Sequence, residues 1–439
     1  MNTDSSTSTH RPLRFITCGS VDDGKSTLIG RLLYDSKALM IDQLDALAQA
    51  SKTRSAGSKS DDLDLSLATD GLEAEREQGI TIDVAYRYFN TPKRKFIIAD
   101  APGHEQYTRN MITGASKSDV AVVLIDVTKL DFTTPALALL PQTKRHTAIA
   151  TLLRLQHIVV AVNKMDAIDF DRAKFERVVN AFSALAQSLN IDSFTAIPVS
   201  ALRGDGVVAH TERTAWFNGP ALLPHLESLS LSDGATNALA ASVAVQWVTR
   251  DASDDHLRWV TGDVADATLH VGDAISVFPS GAHASIAAIR TGRGEVAVAQ
   301  PGEAVALRFD RQLDVARGDW IFANAVNKLE NTESNNRMQA TVAWLDSAPL
   351  TPGRRYVLRH GTRWLPARVT AVHERFDLQT ALWSSDTSHA SVNANDLVRA
   401  DVEFAAPLPI STFANSATRG AFVLVDPGTN ATAAAGVFL

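Results

Sequence analysis

The residues best suited to chemistry lie in one glycine-containing segment near the amino terminus, Gly19-Ser20-Val21-Asp22-Asp23-Gly24-Lys25-Ser26-Thr27. Gly19 and Gly24 permit backbone conformations that other residues avoid, so that successive N–H groups can turn inward onto an anion. Lys25 is placed to reach terminal phosphates, and Ser26 offers a hydroxyl to a divalent cation. This order of residue types is typical of a loop that binds the phosphates of a nucleotide.

The sequence on either side predicts the context that such a loop needs. Arg14–Cys18 is apolar and prone to form a β-strand, and Leu28–Tyr34 follows with a helical pattern. The helix would add its unpaired amides and the positive end of its dipole to the anion site. The alternative is a chance match in a glycine-containing turn, which the flanking strand and helix disfavour.

A single threonine is the candidate sensor of the terminal phosphate. The charged stretch Asp70–Gly79 precedes Ile80-Thr81-Ile82-Asp83, and the alternating strand Val84–Phe89 follows. Thr81 therefore lies where a loop joins a strand, and its hydroxyl can join the Mg²⁺ sphere only while the γ-phosphate is present. Taken alone, Thr81 would be an ordinary strand threonine; the phosphate loop upstream favours the switch role.

The strand Lys95–Ala99 leads into Asp100-Ala101-Pro102-Gly103-His104. A carboxylate at the carboxyl end of a strand beside the phosphate loop supplies the second Mg²⁺ contact through water, which predicts this role for Asp100. Gly103 can offer its backbone N–H to the γ-phosphate, and His104 is placed to orient an attacking water. The alternative for His104 is a surface turn histidine.

Base selection is expected at two further strand ends. Val120–Asp126 and Ile158–Val162 are continuous apolar runs typical of buried parallel strands, and the second ends in Asn163-Lys164-Met165-Asp166. Asp166 can accept hydrogen bonds from N1–H and the N2 amine of guanine, and adenine has no donors at those positions. Asn163 can brace the base edge and the neighbouring loops, and the Lys164 stem can lie over the ring face.

After the next strand-like run, a backbone amide near Ala201 can meet guanine O6. The predicted nucleotide-binding residues are therefore Gly19, Ser20, Val21, Asp22, Asp23, Gly24, Lys25, Ser26, Thr27, Asp100, Ala101, Pro102, Gly103, His104, Asn163, Lys164, Met165, Asp166, Ser200, Ala201 and Leu202. These motifs reinforce one another because ligands of open α/β sheets bind at the carboxyl ends of the strands.

Composition excludes several other classes of protein. Among 439 residues, 45% are hydrophobic and 21% are charged, as in ordinary globular proteins. The net charge of −7 disfavours nucleic-acid binding that depends on an overall positive charge. No apolar run is long enough to suggest a membrane span. The single cysteine, Cys18, fits a reducing cytoplasm and is expected to be a buried apolar residue rather than a redox centre. His146 is expected to be structural.

The motifs together resemble the translation-factor class of P-loop GTPases. Three longer segments, Ser20–Ser26, Ala74–Phe89 and Gly103–Met111, are similar to the large-subunit family of bacterial sulfate adenylyltransferases. Asp23 favours that family because elongation factors usually have His there. Two departures stand out: Ala101 replaces the family's usual Thr, and Leu130–Pro141 is longer than the family's connection, which predicts an extended surface loop.

The resemblance implies a GTP-hydrolysing subunit of sulfate assimilation. ATP and sulfate would give adenosine 5′-phosphosulfate and pyrophosphate, with adenylyl transfer on a separate small catalytic subunit as partner. GTP would bind with Mg²⁺ held by Ser26, Thr81 and Asp100, and His104, Lys25 and Thr81 would have catalytic roles. Some members carry a fused kinase for adenosine phosphosulfate, but no second phosphate-loop pattern follows residue 230.

The predicted fold is α/β: a P-loop GTPase domain with a mostly parallel sheet flanked by helices, then two small antiparallel β-barrels. The predicted boundaries are a disordered tail at 1–12, a GTP-binding domain at 13–230 and barrels at 239–326 and 337–439. Two alternatives stay open from the residues alone. An elongation factor carrying aminoacyl-tRNA would share this architecture, and so would a GTP-dependent scaffold without catalysis.

Overall fold

The computed structural model describes residues 12–38, 65, 83–104, 107–231, 239–250, 258–324, 336–377, 380, 382–385 and 391–439. The chain divides into two compact units, Met1–Leu231 with Asp377–Leu382, and Ser232–Phe376 with Trp383–Leu439. The predicted switch threonine, Thr81, lies outside the described residues. Within them, no helix has both the length and the apolar character that crossing a membrane requires.

The first unit is built on a six-stranded sheet in the order β2-β3-β1-β4-β5-β6. Only β2 runs antiparallel to its neighbour, β3, and the other pairs are parallel. The carboxyl ends of the five parallel strands therefore meet along one edge of the sheet. The strands are β1 (Leu13–Cys18), β2 (Ala85–Asn90), β3 (Lys95–Asp100), β4 (Val120–Asp126), β5 (His157–Asn163) and β6 (Thr195–Pro198).

Helices pack on this sheet because its central strands are apolar on both faces. Every residue of β4 is buried, which requires cover above and below. Helix α1 begins directly after Gly24 and buries Leu28, Ile29 and Leu32 in the same core. Among the described residues of this unit, the α-helices are α1 (Lys25–Asp35), α2 (Thr108–Ala115), α3 (Pro141–Leu152), α4 (Arg172–Ser188) and α5 (Leu222–Ser228).

The connection that the sequence predicts to be an extended surface loop has no regular element over residues 130–140, all of which are described. Leu130 and Leu139 are buried near its two ends. Arg177 of α4 donates to the carbonyl of Phe132 at 2.6 Å and also to the carbonyl of Thr134. The Arg177 guanidinium lies 5.4 Å from the centre of the Phe132 ring. The loop is therefore exposed but tied to α4.

The second unit contains two antiparallel barrels. In the first, strands follow the order β11-β16-β7-β9-β15-β12, and pairing of β12 with β11 closes the circle. Its strands are β7 (Ser242–Ala244), β8 (Trp247–Arg250), β9 (Arg258–Ala265), β10 (Leu269–His270), β11 (Ala274–Phe278), β12 (His283–Thr291), β13 (Gly294–Val296), β14 (Val298–Ala299), β15 (Ala304–Phe309) and β16 (Trp320–Ala323).

The second barrel has the order β18-β22-β23-β17-β21-β19 and closes through β19 and β18. Its elements are β17 (Arg337–Trp344), β18 (Arg355–His360), β19 (Arg363–Asp377), β20 (Leu382–Ser384), β21 (Leu397–Phe404), α6 (Ala417–Gly420), β22 (Ala421–Val425) and β23 (Thr432–Phe438). The α/β class and the two antiparallel barrels are thus confirmed. Alanines dilute the β-prone pattern in β12 and β23, so these two strands are hard to recognise from their residues alone.

The two barrels meet at a seam around the turn between β18 and β19. Gly361 in this turn has φ +57, and a Cβ there would lie 2.7 Å from the Trp320 ring of the first barrel. The buried Thr362 hydroxyl donates to the carbonyl of Val245 at 2.7 Å. His360 is fully buried with its ring centre 5.3 Å from that of Trp320, and burial lowers its pKa to about 4. The seam is therefore closely packed and its histidine is neutral.

Substituting Gly361 tests how tightly the seam is packed. Gly361→Ala combines a left-handed backbone with overlap on Trp320, whereas Gly353→Ala at φ +81 has open space around it. We expect Gly353→Ala to lower the free energy of unfolding by about 1–2 kcal/mol, and Gly361→Ala to lower it by about 1–3 kcal/mol more. Urea unfolding followed by tryptophan fluorescence measures both, since six of the seven tryptophans belong to the second unit. Equal losses in the two variants would contradict the close packing.

Candidate functional site

The phosphate loop is packed so closely from behind that two of its positions accept only glycine. Gly19 has φ +148, and a Cβ there would lie 2.7 Å from the carbonyl oxygen of Leu124 in β4. Gly24 has φ +89, and its Cβ would overlap the side-chain amide of Asn163. The glycines therefore let the backbone of the loop rest directly on β4 and on the end of β5.

The amine of Lys25 lies over the phosphate loop. Its Nζ donates to the carbonyl of Ser20 at 2.7 Å and to that of Gly19 at 3.3 Å. It also lies where a side chain at Gly103 would have to be. Burial lowers the pKa of Lys25, and the carboxylates of Asp23 and Asp100 oppose that shift. Gly103 and Lys25, predicted to meet one phosphate, are thus brought together.

Asp100 ends β3 beside the phosphate loop, as predicted. It is 2% exposed, and its Oδ1 accepts from the Thr17 hydroxyl at 3.4 Å. Ala101, where the resembling family has Thr, is fully buried. Ser26 is half-buried in the first turn of α1. A hydroxyl and a carboxylate are oxygen donors of the kind that Mg²⁺ prefers, so these residues fit that ion.

His104 follows the glycine that contacts Lys25, and its side chain is exposed. Its carbonyl accepts from the amide of Tyr107 at 3.0 Å, and the two rings meet edge to face with centres 6.2 Å apart. The sequence-predicted partner in hydrolysis, Thr81, lies outside the described residues. The structure therefore places His104 at the exposed border of the site, next to Gly103.

Asn163 joins three loops. Its Nδ2 donates to the carbonyl of Asp23 at 2.8 Å, and its Oδ1 accepts from the amide of Ala201 at 3.0 Å. The side chain is 2% exposed, so it bridges the loops from inside. These two hydrogen bonds agree with the predicted bracing of the neighbouring loops, and bracing of the base edge stays a prediction. The Ala201 amide itself, in the segment where the sequence predicts a donor to guanine O6, donates to Asn163 here.

Lys164 and Asp166 lie on the short turn after Asn163. The Lys164 amine pairs with Asp126 Oδ2 at 2.7 Å, and its side chain is 37% exposed. Burial by itself raises the pKa of Asp126, but hydrogen bonds from Lys164 and Thr128 outweigh it and the net shift is downward. Asp166 Oδ2 lies 3.6 Å from Nε of Arg203. The Asp166 side chain is 15% exposed.

The segment Ser200-Ala201-Leu202 is fixed by α1. Arg31 of that helix donates to the carbonyl of Ala201 at 3.3 Å and to that of Leu202 at 2.5 Å. Ser200 is fully buried, whereas the Leu202 side chain is 49% exposed. The remaining predicted residues are exposed Asp22, half-buried Val21 and Thr27, and buried Met165 and Pro102.

Sequence reasoning missed the contribution of His146. Its ring is fully buried in α3, and Nδ1 accepts from the amide of Gly19 at 3.0 Å. Burial, with Lys25 and Arg145 nearby, lowers its pKa to about 3, so the ring is neutral and Nδ1 is free to accept. His146 is thus structural, as expected, but it supports the phosphate loop itself. No local signal connects it with a loop 127 residues earlier.

The thiol of Cys18, directly before the phosphate loop, gives a simple test of this packing. It is fully buried, and burial raises its pKa from 9.0 to about 12. The pKa of the thiol is therefore higher in the folded chain than in the unfolded chain. The resulting contribution to the free energy of unfolding is fully present below pH 9 and is lost as the pH rises toward 12.

We expect Ellman's reagent at neutral pH to leave the native chain unmodified and to label one thiol per chain after unfolding in urea. Rapid labelling of the native chain would contradict the buried assignment and support a reactive cysteine.

Comparison with protein-family models agrees with this division of the chain. Residues 10–252 match the model described as the elongation factor Tu GTP binding domain. Residues 337–439 match the model described as GTP-eEF1A C-terminal domain-like. Among solved structures, the GTP-bound GTPase-like domain of Ski7 from S. cerevisiae covers 100% of this chain and 99% of its own, with a TM-score of 0.50 and 18% identity. That likeness shows the fold alone.

Curated relatives are considerably closer in sequence. Sulfate adenylyltransferase subunit 1 of Laribacter hongkongensis is 44% identical over 97% of this chain and 84% of its own length. The bifunctional enzyme CysN/CysC of Mycobacterium tuberculosis is 46% identical over 97% of this chain and 67% of its own length. The chain therefore belongs to the sulfate adenylyltransferase subunit 1 family, whose first domain is a GTPase domain of the elongation factor Tu class.

Proposed function

We propose that this chain hydrolyses GTP and uses that reaction to drive sulfate activation on a separate small catalytic subunit. There a sulfate oxygen attacks the α-phosphorus of ATP, forming adenosine 5′-phosphosulfate and releasing pyrophosphate. The observation that carries the GTPase part is the convergence of Lys25, Gly103 and Asn163 on one phosphate loop. Membership of the subunit 1 family supports the sulfate part.

Guanine is recognised in this proposal by Asp166, whose two carboxylate oxygens accept from N1–H and the N2 amine. The Ala201 amide donates to Asn163, so the neighbouring amide of Leu202 is the better donor to guanine O6. The exposed Leu202 side chain and the Lys164 stem would cover the ring faces. Adenine presents the wrong donors and acceptors to this set, which is the source of selectivity.

The triphosphate lies along the loop amides and the amino end of α1. Lys25 now donates to two carbonyl oxygens, and phosphate oxygens are stronger acceptors for its charge. Ser26, Asp100 and Thr81 would hold Mg²⁺, which offsets the charge that develops between the β- and γ-phosphates. The described residues contain no group of three or more His, Cys, Asp or Glu side chains that could hold a metal ion. An ion held mostly by phosphates and water needs none.

Hydrolysis requires a water in line with the γ-phosphate. His104 follows Gly103, whose backbone lies against Lys25, so its ring can swing to that side and orient the water. Thr81 would order its segment only while the γ-phosphate is present, and release of that segment would signal the reaction to the partner. The small subunit then receives the free energy of GTP hydrolysis as a conformational change.

A reconstituted assay tests the proposal. The chain is copurified with its small subunit from the native cell, and pyrophosphate release is measured with ATP and sulfate, with and without GTP. We expect release to rise with GTP and to fall again when GTP is replaced by a nonhydrolysable analogue. GTP-dependent nanomolar binding of aminoacyl-tRNA, without any effect on pyrophosphate release, would instead identify an elongation factor.

Asp166→Asn tests the base assignment. An amide cannot accept both guanine donors, so we expect GTP affinity to fall roughly 100-fold or more. The same variant should gain affinity for xanthosine triphosphate, whose O2 carbonyl accepts from the new amide. Asp169→Asn removes one charge from the neighbouring exposed position and serves as the control. Unchanged GTP binding by Asp166→Asn in equilibrium titrations would defeat the assignment.

His104→Ala tests the hydrolytic role. The role proposed for the ring is to orient water and not to hold the nucleotide, so we expect the dissociation constant for GTP to stay unchanged while single-turnover hydrolysis slows by about 100-fold or more. His104→Gln, which can still hydrogen-bond to water, should retain more activity than His104→Ala. Wild-type turnover in His104→Ala would remove this residue from the mechanism.

A further inference from the structure

Asp23 is a fully buried carboxylate inside the phosphate loop. Its Oδ2 accepts from the amide of Ser20 at 2.5 Å, which closes the loop on itself. A buried carboxylate at this place has an electrostatic cost, because the loop is built to receive a polyanion. The charge of Asp23 must therefore be compensated before phosphates bind.

The compensating cation comes from Lys129, which lies far along the chain. Its Nζ is 2.9 Å from Asp23 Oδ1, and it also donates to the carbonyl of Val21. Lys129 ends the short turn after β4, where Asp126 caps the segment through the amide of Thr128 at 2.9 Å. The lysine therefore spans two residues of the phosphate loop from the end of the neighbouring strand.

The surrounding charges alternate in sign. Asp126 is already paired with Lys164 at 2.7 Å and lies 3.9 Å from Lys129. Both groups also influence the pKa of Lys25: Asp23 raises it and Lys129 lowers it. Besides Lys129, Asp23 also acts on Lys25, which is the group that the phosphates need.

We propose that Lys129 is a positioning residue for nucleotide binding, which neutralises Asp23 and so leaves Lys25 available to the phosphates. This inference rests on the proposed GTP-binding role of the loop. It also accounts for Asp23 in this loop, since a carboxylate there requires a cation after β4 to pair with it.

A double-mutant cycle tests the proposal with Lys129→Met, Asp23→Asn and the combined variant. The readouts are the dissociation constants of GTP, GDP and GMP. Lys129→Met leaves Asp23 unpaired, so we expect GTP affinity to fall roughly tenfold or more, with a smaller loss for GMP because it carries less charge. The combined variant has neither charge, and its GTP affinity should return to within about threefold of wild type.

Matched variants separate this role from general damage. Lys93 and Glu227 also pair at 2.9 Å in the first unit, but Lys93 is 72% exposed and remote from the loop, so Lys93→Met should leave GTP affinity unchanged. Lys129→Arg keeps the charge and should stay within about threefold of wild type. If Lys129→Met fails to fold while the combined variant folds, charge compensation is again supported.

Three outcomes would overturn the proposal. They are wild-type GTP binding by Lys129→Met, a combined variant as weak as Lys129→Met alone, and failure of both variants to fold. In the last case the contact would serve folding rather than nucleotide binding. Failure of the wild-type chain to bind GTP would instead count against the proposed function and is recognised in the same titration.

Discussion

The close approach of the phosphate loop to the strands behind it is the constraint on which the site depends. At Gly19 the carbonyl of Leu124 leaves no room for a side chain, and at Gly24 the amide of Asn163 occupies the corresponding space. His146 engages the Gly19 amide from the same side. Because the rear of the loop is held by β4, β5 and α3, its front is left to receive a ligand.

A second constraint is charge. Asp23, Asp100 and Asp126 are all buried within the edge of one sheet, where isolated carboxylates would be costly. Lysines compensate these charges. Lys129 pairs with Asp23, and Lys164 pairs with Asp126. Lys25 is close enough to Asp23 and Asp100 for both carboxylates to raise its pKa. These charges are therefore already paired before a triphosphate binds, and its binding would change which groups the lysines contact.

Sequence predicted those parts of the molecule whose cause is local. The strands β4 and β5 are continuous apolar runs, and the phosphate loop needs glycine at fixed places, so both are visible in the residues themselves. The antiparallel barrels follow from short strands separated by turns. The α/β class and the two barrels were predicted correctly for these reasons.

What sequence could not predict depends on contacts between distant segments. His146 and Lys129 lie on α3 and after β4, and nothing in their neighbours connects them to a loop more than 100 residues earlier. The strands β12 and β23 contain several alanines, and it is pairing with their neighbours that makes them strands. The prediction of a backbone amide near Ala201 for guanine O6 could not say which amide, because the hydrogen bond from the Ala201 amide to Asn163 joins segments 38 residues apart.

The seam between the barrels has a mechanical consequence. The turn at Gly361 and Thr362 fits against Trp320 and the carbonyl of Val245, and the Arg419 guanidinium lies 3.9 Å from Asp266 across the same boundary. Sliding one barrel past the other would break a buried hydrogen bond and force an indole ring out of its place. A displacement of either barrel is therefore transmitted to the other, so that the two barrels move as one rigid body.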